Sequence, residues 1–230
     1  MLGLISNLFT NFKSGSTLLD DSESVSDKVN RFLSYWENSV ELFCKCTNDP
    51  EQKRNLLVVL YCLSEILEDS NAHNNEVFAV IRSAFSKHGF VKFLVQNLSS
   101  DDETSAHISL VLIKRFSVFD FAAPSFASST LVFQITHLML QRQHQVAFLH
   151  TCLELLSNLA VDDKMSSCIL NSMTLYRLVV RICFRSDGGN LREFAFVFVD
   201  WFLDNADDHS RQVLLMERFS LWNQEFVACC

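Results

Sequence analysis

The chain has 230 residues, 49% of them apolar and 20% charged, with five Gly, two Pro and a formal net charge of −8. That much apolar content can fill a core, so few chain breakers disfavour a loop-rich β-sandwich, and so moderate a charge argues against disorder; an α-rich globular body is expected. An acidic chain with no run of five basic residues repels a phosphate backbone, which disfavours nucleic acid and favours a protein or peptide as partner.

The longest clean apolar run, Leu56 to Leu63, falls far short of the roughly 18 residues that cross a bilayer, so no membrane span is expected. The opening MLGLISNLFTNF lacks a basic start and a small-residue cleavage site, which points to a cytoplasmic or nuclear protein. Most of the eight Cys lie within apolar stretches. Cys62, Cys152, Cys168 and Cys183 read as small buried hydrophobes rather than disulfide partners. No CxxC pair and no helical HxxxH stands in the chain, so neither a metal nor any other cofactor is expected. The terminal Cys229 and Cys230 do not form a CaaX box, because Val227 stands where its Cys belongs.

In chain order, Leu2, Leu4, Ile5, Leu8, Phe9 and Phe12 fall at helical spacing, and the Ser- and Asp-rich stretch 14–27 then reads as a flexible joint. Residues 1–28 are thus an N-terminal segment, and the folded domain is expected over 29–230. Val29, Phe32, Leu33, Trp36, Val40 and Phe43 form the apolar stripe of a first, capping helix. Asp49 can cap the next helix with Pro50 in its first turn, where a missing N–H costs nothing. Ser100 with Glu103, and Asn190 with Glu193, give similar start signals.

These recurrences mark a repeat. Leu63/Ile66, Ile113/Phe116, Leu156/Leu159 and Val199/Phe202 align at offsets of 50, 43 and 43 residues. A second set, Val91/Val95/Leu98, Leu131/Ile135/Leu138 and Leu175/Val179/Ile182, aligns at 40 and 44. A period of about 42 belongs to stacked helical units of about 40 to 47 residues, each too small to bury its own apolar face.

The segment Leu153-Glu-Leu-Leu-Ser-Asn-Leu-Ala160, followed by Val161-Asp-Asp and then Ile169 to Val180, resembles an armadillo repeat, with a weaker copy at Leu63-Ser-Glu-Ile-Leu67. The resemblance covers roughly residues 50 to 220. It implies an all-α, right-handed solenoid of about four armadillo-like repeats behind an N-terminal capping helix. In that family the last helix of each repeat lines a concave groove, where Asn amides pair with the unpartnered N–H and C=O groups of an extended peptide. Asn158 matches that position, and Glu65, Arg115 and Trp201 are its equivalents in the other units. Tyr61 matches the aromatic one helical turn earlier. With a single Asn in the set, the specificity is expected to differ from that of a receptor for basic signals.

No GxSxG, phosphate-cradling Gly loop or HExxH is present, and Gly188-Gly189 reads as a helix-ending turn. The pairs Asp101/Asp102, Asp162/Asp163 and Asp207/Asp208 fall where helices start, so they read as caps rather than catalytic carboxylates. His150 and Cys152, two apart, point to different faces and form no dyad. The expectation is a non-catalytic adaptor that takes a partner's peptide or helix on the face of Tyr61, Glu65, Arg115, Asn158 and Trp201. Charge runs unevenly, from +2 over 121–185 to −5 over 186–230, so the ligand is expected to be amphoteric with its basic end toward the C-terminal unit. The alternative is a structural subunit that stacks end to end or on itself through the C-terminal helix, whose Phe219, Leu221, Trp222, Phe226 and Val227 make a wide apolar stripe. If the cysteines serve packing alone, a reductant should shift the melting temperature by less than about 2 °C; a drop of many degrees would reveal disulfides, each worth about 2–5 kcal/mol.

Overall fold

A computed structural model describes residues 34–42, 45, 49–69, 90–119, 123–126, 129–184 and 189–228. The stripe at 2–12, the joint at 14–27 and the terminal Cys229-Cys230 lie outside them. Every regular element among the described residues is helical. After a helical stretch at 34–42, the chain forms α1 (Pro50–Asp69), α2 (Phe90–Asn97), α3 (Glu103–Ser117), α4 (Ala123–Phe126), α5 (Ser129–Gln141), α6 (Val146–Leu159), α7 (Asp163–Leu170), α8 (Met173–Cys183), α9 (Gly189–Asn205) and α10 (Asp208–Ala228). The chain divides into two compact units, Met1–Leu112 and Ile113–Cys230.

In the first unit Trp36 and Val40 are buried, as their spacing predicts, and the Trp36 ring meets Phe90 of α2 edge-on with centroids 6.1 Å apart. Asp49 caps α1 as expected, its Oδ1 accepting from the N–H groups of Glu51 (3.1 Å) and Gln52 (3.2 Å). Leu56, Leu57 and Leu60 turn the inner face of α1 into core. A buried amide joins α2 to α3: Asn97 Nδ2 donates to the Ser105 carbonyl at 3.0 Å and to Ser109 Oγ at 2.8 Å. Its donor hydrogens are thereby paired, which removes the main cost of burying it.

The oxygen that caps α3 belongs to Asp102, not to Ser100. Asp102 Oδ1 accepts from the Thr104 N–H at 3.2 Å, while Ser100 Oγ accepts from the Asp102 N–H at 3.3 Å. A carboxylate is the stronger acceptor at a helix N-terminus, so it takes the inner position. The Ser105 hydroxyl, and to a lesser degree backbone N–H groups and Arg54, hold the Asp102 carboxyl below its usual range.

In the second unit a short helix followed by two longer ones occurs twice, as α4–α5–α6 and α7–α8–α9. The three pairs of starts, Ala123 to Asp163, Ser129 to Met173 and Val146 to Gly189, lie 40, 44 and 43 residues apart. Asp162 caps α7 through the N–H groups of Lys164 and Met165, both at 3.0 Å, and Ser172 caps α8 through that of Leu175. Asp207 caps α10 through Ser210, whose N–H and hydroxyl lower the Asp207 pKa. The paired acids therefore serve helix starts, as read. Asn190 does not: α9 begins at Gly189, and Asn190 is its second residue. Gly189, the first residue of α9, sits at φ +30°, a backbone conformation that side chains rarely adopt, and Gly188 lies outside the described residues.

The aligned pairs are core. Ile113, Phe116, Leu156, Leu159, Val199 and Phe202 are all buried, as are Leu131, Ile135, Leu138, Leu175, Val179 and Ile182. The helix α8 packs against α5, α7, α9 and α10, and α6 packs against α5, α7 and α9. Around α8 the rings of Tyr176, Phe202, Phe198 and Trp201 interlock, with centroids 5.3–5.6 Å apart. The Tyr176 hydroxyl donates to the Leu214 carbonyl of α10 at 2.9 Å, and burial, partly offset by Arg218, raises its pKa to about 12. Arg211 closes the end of α9, donating from Nε to the Leu203 carbonyl (2.7 Å) and from Nη2 to that of Ala206 (3.2 Å).

Two substitutions test this packing by urea unfolding. Phe202→Ala removes a buried ring and should cost about 3–5 kcal/mol. Tyr176→Phe loses one hydrogen bond and keeps the ring, so it should cost about 1 kcal/mol. Equal, small losses would contradict the placement of Phe202 in the core.

Candidate binding surface

The helices α3, α6 and α9 begin at Glu103, Val146 and Gly189, at intervals of 43 residues, so Arg115, Asn158 and Trp201 fall on the same register position of each. All three side chains are half-buried. Tyr61 is also half-buried and stands one turn before Glu65 on α1, in the other compact unit; the Glu65 side chain is not among those described. The structure thus gives three of the five sequence-selected residues one register, and places the other two on a separate unit.

Side-chain links join the series. Lys114 Nζ on α3 lies 2.6 Å from Glu154 Oε2 on α6, and His150 Nδ1 stands 3.5 Å from the same oxygen. Asn158 Nδ2 donates to Ser117 Oγ at 3.1 Å, and that hydroxyl donates in turn to the Lys114 carbonyl at 2.6 Å. From α6 to α9, the His150 ring lies against Phe194 with centroids 5.5 Å apart. Asn158 therefore cross-links two helices; that bond uses one of the four hydrogen-bonding positions of its amide.

Trp201 stacks on Phe198 at 5.6 Å with an interplanar angle of 24° and meets Phe202 edge-on, so part of its ring is held by the core while the remainder reaches the surface. Beside it Val197 is 67% exposed, and Asp200 and Asp204 are exposed acids. Asp200 Oδ1 is 3.7 Å from Arg218. The α3 end of the series carries Lys114 and Arg115, and its α9 end carries Asp200 and Asp204 on either side of Trp201 in sequence.

A groove that the repeat alignment passed over runs between α5 and the α7–α8 segment, with a volume of about 430 Å³. Val132, Phe133, Thr136, His137 and Leu140 line one side, and Ser167, Cys168, Asn171, Ser172 and Thr174 the other. Phe133 is 71% exposed and stacks flat on His137, their centroids 6.3 Å apart. A signal for it exists in the sequence: Phe133, His137 and Leu140 follow an i, i+4, i+7 spacing opposite the buried stripe Leu131, Ile135 and Leu138.

The buried thiols do not form an acid–base site. Cys152 is fully buried while His150 is half-exposed, so they do face apart. Burial raises the pKa of the Cys152 thiol and pushes that of Cys183 to about 12, which keeps both protonated near neutrality. Cys168 differs from its reading as a buried hydrophobe: it is half-buried at the groove wall. Among the described residues no group of three His, Cys, Asp or Glu could hold a metal ion, and no helix is long and apolar enough to cross a membrane.

No protein-family model matches the chain, and no curated protein sequence does. The chain is similar to a crystal structure of an engineered protein from the Northeast Structural Genomics Consortium, with a TM-score of 0.53 and 14% identity over 94% of this chain and 97% of that one. At that identity the likeness concerns the fold alone, and it agrees with an all-α, multi-helix architecture.

Proposed function

We propose that this chain is a non-catalytic adaptor of armadillo-like repeats that captures an extended peptide or a helix of another protein on the α3–α6–α9 face. The observation that carries the reading is the shared register and shared half-burial of Arg115, Asn158 and Trp201 on α3, α6 and α9. Helices pack about 8–10 Å apart, so one extended segment can touch all three positions. The recurring order of a short helix and two long ones, at intervals near those of armadillo units, supports the repeat class. A right-handed solenoid of about four such repeats, in which Tyr61 and Glu65 take the matching place on α1, belongs to the same proposal, as does a cytoplasmic or nuclear location.

Aromatic and Arg side chains dominate binding energy where they are desolvated, and Trp201 and Arg115 are the members of the set with that chemistry. The acids at the α9 edge and the bases at the α3 edge select an amphoteric ligand with its basic end toward α9. Partner capture followed by mass spectrometry would supply the ligand, and fluorescence anisotropy with the captured segment would measure it. Trp201→Ala and Arg115→Ala should each weaken binding by about 1–3 kcal/mol, with unchanged far-UV circular dichroism. Trp201→Phe, which retains the packing on Phe198, separates a binding loss from a folding loss. Normal binding by both folded alanine variants would exclude this face.

A further inference from the structure

The helix α10 has two faces. Its inner face places Leu214 and Leu221 in the core and ties its charges to the rest of the chain. Glu217 makes a two-pronged pair with Arg177 (2.6 and 3.0 Å), which holds the Glu217 carboxyl below its usual range. Arg218 lies 3.7 Å from Asp200, and Arg211 lies 3.5 Å from Asp208. Its outer face carries Leu215, Phe219 and Trp222 at spacings of four and three, and the sequence places Phe226 four residues further on. This alternation of four and three is the apolar seam of a helix that pairs with another helix, each side chain entering a hole between four of its partner's.

Phe219 is 59% exposed, Trp222 52% and the flanking Met216 72%, and the Phe219 and Trp222 rings brace each other edge-on at 6.1 Å. The seam is bordered by the uncharged Gln212 and Asn223 on one side and by Arg211 and Arg218 on the other. Arg211 and Arg218 are held within the chain, by Asp208 and Asp200. A chain with a net charge of −8 meets least repulsion from a copy of itself where its acids are already paired, and the described acids of α10, Asp208 and Glu217, both are.

We infer that α10 is a self-association surface and that its occupant is the α10 helix of a second copy, paired about a two-fold axis near Phe219 and Trp222. The exposed parts of Leu215, Met216, Phe219 and Trp222 amount to roughly 500 Å² of apolar surface per copy, so two copies bury on the order of 1,000 Å² before any polar rim is counted. That reaches the lower bound of a specific interface and predicts a dimer of modest affinity. This inference is independent of the groove reading, since it concerns a different helix and a different partner.

Light scattering coupled to size exclusion, over about 1 to 200 µM chain, tests it. The wild-type mass should rise with concentration toward twice the 26.4 kDa of one chain. Phe219→Glu should hold the protein at one chain mass to at least tenfold higher concentration with unchanged circular dichroism. Val161→Glu, at a position 86% exposed on the turn after α6, should dimerise like the wild type. If Phe219→Glu perturbs folding, Trp222→Gln reads the same seam with a neutral side chain. A wild type that remains one chain at the top of the series, a folded Phe219→Glu that still dimerises, or an equal loss in Val161→Glu would each overturn the inference.

Discussion

An eleven-residue helix cannot sustain itself in water, because nucleating it costs more than so few backbone hydrogen bonds return. Yet α8 is such a helix, and the second compact unit is arranged around it. Seven of its residues, from Leu175 to Cys183, are buried, and it touches α5, α7, α9 and α10. Its stability comes from apolar surface removed from water on several sides. The Tyr176 ring carries that burial into the aromatic cluster on α9, and its hydroxyl reaches the backbone of α10. The second unit's long C-terminal helices therefore depend on one short helix that is stable only in their company.

The same dependence explains which parts of the fold were legible in the sequence. Pairs such as Leu156/Leu159 and Val199/Phe202 showed themselves because a helix buried by its neighbours must repeat its apolar residues at three and four, and each repeat of the unit repeats that demand. Asp49, Asp162 and Asp207 were legible as caps because a helix start needs an acceptor whatever surrounds it. Ser100 and Asn190 misled for a related reason. Both match the cap pattern in sequence, but Asp102 competes with Ser100 two residues on, and the left-handed turn at Gly189 starts α9 one residue before Asn190.

Tertiary partners were harder to read. Nothing local in the sequence of α6 says that the Asn158 amide bonds Ser117, because that contact joins residues 41 apart. The half-burial of Trp201 between core and surface follows from its stacking on Phe198, one turn earlier. The groove beside Phe133 and Cys168 escaped because a search for the buried stripe of α5 discards the opposite one. The fold side of the reading thus rested on periodicity, which is local, and the surface side on helix neighbours, which is not.

Amide hydrogen exchange resolved by mass spectrometry tests the central role of α8 most directly. If α8 is held by four neighbours and holds α9 and α10 in turn, its amides and those of α6 should exchange only through global unfolding, with protection matching the unfolding free energy from urea titration. Amides in the last turns of α10 should exchange faster, as helix ends open locally. An α8 that exchanges as readily as the short helix α4, while α9 and α10 remain protected, would contradict the account.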